Sequence, residues 1–121
     1  MTRYERLHHH AFTFPEGQEA RVREFYSTVL GMTEVPKPET MRPVGCWFRT
    51  GEVELHFVPD SRFEPNRLGH PAIVVDDLEA LAATLERHGA AVEHDARLPG
   101  HARFHTYDFF GNQIEFLQEL T

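Results

Sequence analysis

A single cysteine, Cys46, rules out any disulfide within this 121-residue chain and points to a reducing compartment. No apolar run approaches the roughly 18 residues that a membrane-spanning helix needs. The opening stretch MTRYERLHHH lacks the apolar centre of a secretory signal. A cytoplasmic protein without membrane attachment is therefore expected. Basic residues are few and scattered, with 12 Lys and Arg against 19 Asp and Glu and a formal net charge of −7. No basic stripe exists to follow a phosphate backbone, so nucleic acid is not expected as a partner.

What the chain does have is apolar and imidazole side chains. A hydrophobic fraction of 40% with ten Phe suits a packed core rather than a disordered chain. The length suits one domain, residues 1–121, large enough to fold without a disulfide or structural metal. Nine histidines are many for this length, and His8, His9 and His10 lie together.

The order of elements reads the same twice. Leu7–Phe14 forms a strand pattern, and Gly17–Leu30 a helix pattern with apolar residues mostly three and four apart, ended by Gly31. Met32–Val35, Cys46–Arg49 and Val53–Val58 follow as strands, the last two joined through Thr50-Gly51-Glu52. Pro59–Gly69 is rich in turn residues and reads as a connector. A strand over His70–Val75, a helix over Leu78–His88 capped by Asp, and strands over Ala90–His94, Arg103–Tyr107 and Gln113–Gln118 repeat the plan.

The repeat carries chemistry at matched places. His9 and Glu54 are 45 residues apart (54 − 9), and so are His70 and Glu115 (115 − 70). A duplicated unit commonly builds its site where the copies meet. Two imidazoles and two carboxylates form a ligand set for a divalent metal, and Zn, Ni, Co, Mn and Fe(II) are all compatible with it. Strand alternation puts Glu54 and His56 on one face, opposite Val53, Leu55 and Phe57. It likewise puts Glu115 with Gln113 and Leu117, away from Ile114 and Phe116. His56 is thus an alternative to Glu54 as a ligand.

The segments LHHHAF, REFYSTVLGM, VELHF, GHPAIVVDDLEAL, LERHGAAV and YDFFGNQIEFLQ together resemble the vicinal oxygen chelate superfamily, the glyoxalase/bleomycin-resistance/dioxygenase proteins. The likeness runs from about Leu7 to Leu117. It implies an α+β fold of two paired βαβββ modules, about 5–59 and 68–119, whose strands form a curled mixed β-sheet cleft. It implies His9, Glu54, His70 and Glu115 as metal ligands, with Glu54 or Glu115 also moving protons as the catalytic base. The turn at Phe109 departs from the family, where many relatives have Pro.

Trp47, Arg49, His56, Arg103 and His105 are candidates for contact with substrate, because an Arg can clasp an anionic group with two parallel hydrogen bonds. The reading that follows is a small divalent-metal-dependent enzyme of the glyoxalase type, a lyase, isomerase or transferase, whose metal chelates a substrate with vicinal oxygens. The alternative is a metal-free antibiotic-sequestering protein of the bleomycin-resistance type, which the negative net charge favours. An extradiol-type dioxygenase leaves Glu54 unexplained. A small-molecule partner and a homodimer are expected.

Overall fold

Alternating burial along the strands sets the architecture of the chain, described here by a computed structural model covering residues 1–121. In β1 (His10–Pro15), Phe12 and Phe14 are buried while Ala11 and Thr13 face out. In β4 (Val53–Asp60), Leu55 and Phe57 turn inward in the same way. Together with β2 (Glu34–Val35) and β3 (Cys46–Thr50) they make a mixed four-stranded sheet ordered β1-β4-β3-β2. The second half repeats this plan with β5 (Ala72–Val74), β6 (Glu93–His94), β7 (His101–Tyr107) and β8 (Gln113–Glu119), ordered β5-β8-β7-β6. The fold is α+β, and neither sheet closes into a barrel. No ladder joins the two sheets, so β1 and β5 remain open edges.

Each half has one helical segment. The first is expected to be a continuous α-helix, but it splits into α1 (Glu19–Arg23) and a π-helical stretch, Glu24–Val29. There the Leu30 amide donates five residues back to Phe25, and the Met32 amide reaches the Tyr26 carbonyl. The π-helical stretch buries Phe25, Tyr26 and Val29 together. Gly31 ends the segment at φ +74°, as the sequence predicts. The other helix, α2 (Leu78–Arg87), is capped by the Asp77 carboxylate, which accepts from the Ala80 amide at 3.1 Å.

One core of 16 buried residues draws on both halves, from Phe12 and Tyr26 to Leu85 and Phe116. A polar lock backs it. The Tyr26 hydroxyl donates to Asp108 at 2.7 Å, and Asn112 Nδ2 donates to the Thr13 carbonyl at 2.9 Å. The lock binds the β7–β8 turn to the first half. It leaves the opposite face of each sheet open, and those open faces carry the chemistry.

Candidate functional site

Register decides which side chains meet on the open face of the second sheet. The β7–β8 hairpin pairs Tyr107 with Gln113, and so brings His105 opposite Glu115. On the other side β5 runs parallel to β8 and pairs Ala72 with Glu115, which leaves His70 just ahead of the strand and over the same carboxylate. His70 Nε2 lies 3.0 Å from Glu115 Oε1, and His105 Nε2 lies 3.4 Å from the same oxygen. His70 Nδ1 donates to the Leu68 carbonyl at 2.7 Å, which orients the ring and turns Nε2 toward the carboxylate.

His70, His105 and Glu115 are the one set of three such side chains whose donor atoms all fall within 4.8 Å of one another. Donor atoms about 2.1 Å from an ion at tetrahedral or octahedral angles lie about 3.0–3.4 Å apart. The two observed separations from Glu115 Oε1 match that spacing. Two imidazoles and one carboxylate also suit borderline divalent ions. On both counts the residues fit a metal.

The remaining oxygen of Glu115 belongs to a guanidinium. Arg103 Nη1 donates to Oε2 at 3.1 Å, and Arg103 Nη2 donates to Asp95 Oδ2 at 3.1 Å. Asp95 is gripped again by Arg97, with Oδ2 2.6 Å from its Nη2 and Oδ1 2.9 Å from its Nε. Burial pushes the Glu115 carboxyl up, but the hydrogen bonds from His70 and Arg103, with the Arg103 and His105 charges, outweigh it and hold it below its ordinary value. Hydrogen bonds from Arg97, with the charges of Arg103 and Arg97, hold Asp95 far below the usual carboxylate range.

The open face of the first sheet is built differently. Trp47, His56 and His9 form a stack of rings across neighbouring strands, with centroids 3.9 Å apart for Trp47–His56 and 3.8 Å for His56–His9. Glu54 Oε2 lies 2.7 Å from His56 Nε2, and Arg49 approaches the other Glu54 oxygen at 3.9 Å. Burial and the His56 and His8 charges lower the pKa of His9, against the pull of Glu54. The hydrogen bond from His56 leads the effects that lower the Glu54 carboxyl.

The matched 45-residue spacing does not mark matched positions. Ala11 pairs with His56 as Ala72 pairs with Glu115, and Trp47 lies opposite His56 as His105 lies opposite Glu115. His56 is therefore the counterpart of Glu115, and Glu54 the counterpart of Gln113. The expected four residues fall into two groups, His9 with Glu54 and His70 with Glu115, on separate sheets with no hydrogen bond or ion pair between them. A hollow of about 460 Å³ beside His9 and Glu54 runs on to Pro71–Val74 at the start of the second sheet. An apolar groove of about 440 Å³, between the Leu30–Met32 segment and α2, holds none of these residues.

A sequence model of the Glyoxalase/Bleomycin resistance protein/Dioxygenase superfamily matches residues 6–116. The chain belongs to this superfamily. A putative glyoxalase family protein from Bacillus anthracis shares 36% identity and a TM-score of 0.91, covering 98% of this chain and 99% of that one. The antibiotic-binding protein TnmS3 from Streptomyces sp. CB03234 shares 20% identity and a TM-score of 0.71, over 97% and 99% of the two chains. A variant of the fosfomycin resistance protein FosX from Listeria monocytogenes, complexed with Mn(II) and 1S,2S-dihydroxypropylphosphonic acid, shares 12% identity and a TM-score of 0.78, over 97% and 94%. No curated protein matches the chain. At these last two identities the superfamily members share the fold alone.

Of the residues the sequence singles out, the fold gathers His70, Arg103, His105 and Glu115 on one face and His9, Trp47, Arg49, Glu54 and His56 on the other. Asp95 was not among them. Its signal is slight: an Asp two residues before Arg97 in a loop, with nothing to show that Arg103 reaches it.

Proposed function

We propose that this chain is a small metal-dependent enzyme of the glyoxalase type, acting in the cytoplasm on a small molecule with adjacent oxygens. The observation that carries this reading is the convergence of His70, His105 and Glu115 on one point of an open sheet face. A divalent ion held there would supply Lewis-acid stabilisation to a substrate oxygen that gains charge. Zn, Ni, Co, Mn and Fe(II) all suit the donors.

The chain's own residues do the rest. His70 and His105 orient Glu115, and Arg103 holds its second oxygen. Glu115 or Glu54 takes and returns the proton, since each carboxylate lies within reach of the open face. His9 or Glu54 completes the centre as a fourth ligand only when a second copy lays its first sheet over this face, which leaves two positions for the substrate oxygens, so the working form is a homodimer. Two open faces on a chain of one domain support that assembly, as do the exposed Val58 and Val74 beside them.

One observation favours the alternative. The Trp47–His56–His9 stack offers aromatic surface to a planar, cationic drug, and the net charge of −7 would attract one. Metal analysis by mass spectrometry on tag-free protein separates the two readings. About one equivalent per chain, lost in Glu115→Ala, supports the enzyme. Protein that stays metal-free and refuses added Zn, Ni, Mn and Fe(II), yet is stabilised by a cationic antibiotic, supports the sequestering role.

A further inference from the structure

Arg103 stands where a metal centre would be expected to exclude positive charge. Its side chain is only 18% exposed, and it lies across Glu115, the sole carboxylate of the His70–His105–Glu115 set. It is not free to swing away. Nη2 is tied to Asp95, and Asp95 is itself clamped by Arg97. Arg97, Asp95, Arg103 and Glu115 thus alternate in sign, two positive and two negative, and cancel before any cation arrives. A divalent ion added beside them brings two uncompensated positive charges next to a fixed guanidinium.

Two buried side-chain atoms have no hydrogen-bond partner, Arg103 Nε and Thr106 Oγ1. Arg103 Nε is buried and unbonded, although Nη1 and Nη2 are both engaged. A buried N–H left without an acceptor is costly and rare. In a purely structural ion-pair bridge, an arginine between two carboxylates would be free to turn that edge toward one of them. Here Nη1 and Nη2 are committed to Glu115 and Asp95, and Nε is left buried without an acceptor.

Resting on the metal reading above, we infer that Arg103 makes this a two-component site, which binds a divalent cation more tightly together with a small dianionic acid bearing two adjacent oxygens than alone. The acid's charge balances the ion beside the guanidinium that Glu115 and Asp95 hold in place. Arg103 thereby sets the substrate class as anionic.

The test is titration calorimetry of the full-length protein with Mn(II), alone and with saturating oxalate as the dianionic probe. The wild type is expected to bind Mn(II) at least ~10-fold more tightly when oxalate is present. Arg103→Gln should bind Mn(II) alone ~10-fold more tightly than the wild type and lose most of the oxalate effect. Arg103→Lys keeps the charge without the fork, and should bind Mn(II) alone as weakly as the wild type. Misfolding cannot produce the gain in affinity expected for Arg103→Gln, and a circular dichroism melt of each variant accompanies the titrations.

Three results would overturn the inference. Equal Mn(II) affinity in the wild type and Arg103→Gln would leave the metal centre standing and remove Arg103 from its control. Identical behaviour of the Gln and Lys variants would show that charge is not the cause. No Mn(II) binding by any form, with or without oxalate, would end the metal reading and this inference together.

Discussion

The two oxygens of Glu115 face different partners, imidazoles on one side and a guanidinium on the other, and several consequences can be measured at single residues. Glu115→Gln keeps the shape but removes the charge that joins all three. It is expected to weaken cation binding by more than the ~10–100-fold cost of losing an outer partner, as read by calorimetry. Asp95 and Glu115 both hold their protons less readily in the fold than in the unfolded chain. Their contribution to stability is therefore complete above the unfolded carboxylate pKa, about 4, and is lost as pH falls through their lower folded values. Asp95→Asn should show a shallower loss of urea stability than the wild type between pH 6 and pH 3; parallel curves would refute the linkage. Cys46 behaves in the opposite way. Burial pushes its thiol up to about 11, with Glu34 and Glu19 adding to the rise against Arg23 and Lys37. It should resist a thiol-disulfide reagent at pH 7.5 in the native protein and react fully in urea.

Elements carry their own expectations. The Asp77 cap serves the first turn of α2, and Asp77→Ala should cost about 1 kcal/mol in chemical denaturation. Gly45 enters β3 at φ +85°, where an added Cβ would strike the Phe57 carbonyl of the neighbouring strand. Gly45→Ala combines that clash with left-handed backbone strain and should cost ~2 kcal/mol or more. The Asp108 carboxylate accepts from Tyr26, Phe110 and Asn112 while largely buried. Asp108→Ala strands the Tyr26 hydroxyl and should cost ~3 kcal/mol, more than Tyr26→Phe.

Much of this was legible at the level of elements. Period-two alternation put Glu54 and His56 on one strand face and set Glu115 apart from Ile114 and Phe116, while the meeting of His105, expected only as a substrate contact, with Glu115 came from the β7–β8 register. What the sequence did not reveal depends on long-range packing. The π-helical stretch holds Tyr26, whose hydrogen-bond partner Asp108 lies 82 residues away. The equal 45-residue separations looked like equivalent positions, but two extra residues in the first half shift His56 into the place that Glu115 holds in the second. Spacing along a chain counts loops as well as strands, and only register removes the loops.

At the scale of the whole molecule, the same topology occurs twice with different equipment. The second sheet gathers imidazoles, a carboxylate and a guanidinium, while the first gathers a stack of rings. Both open faces look away from the shared core. A dimer that joins them should elute with light scattering near twice the 14.0 kDa of one chain. Chains carrying Glu115→Ala should still dimerise, because the assembly rests on surfaces larger than one side chain.

The separation of the two faces within one chain lends itself to a genetic form of proof. If each centre draws His9 from one copy and Glu115 from the other, a dimer mixing a His9→Ala chain with a Glu115→Ala chain holds both defects in one centre. Its other centre is intact. Two inactive preparations, unfolded and refolded together, would then recover function by complementation. Were all ligands supplied within one chain, mixing would restore nothing.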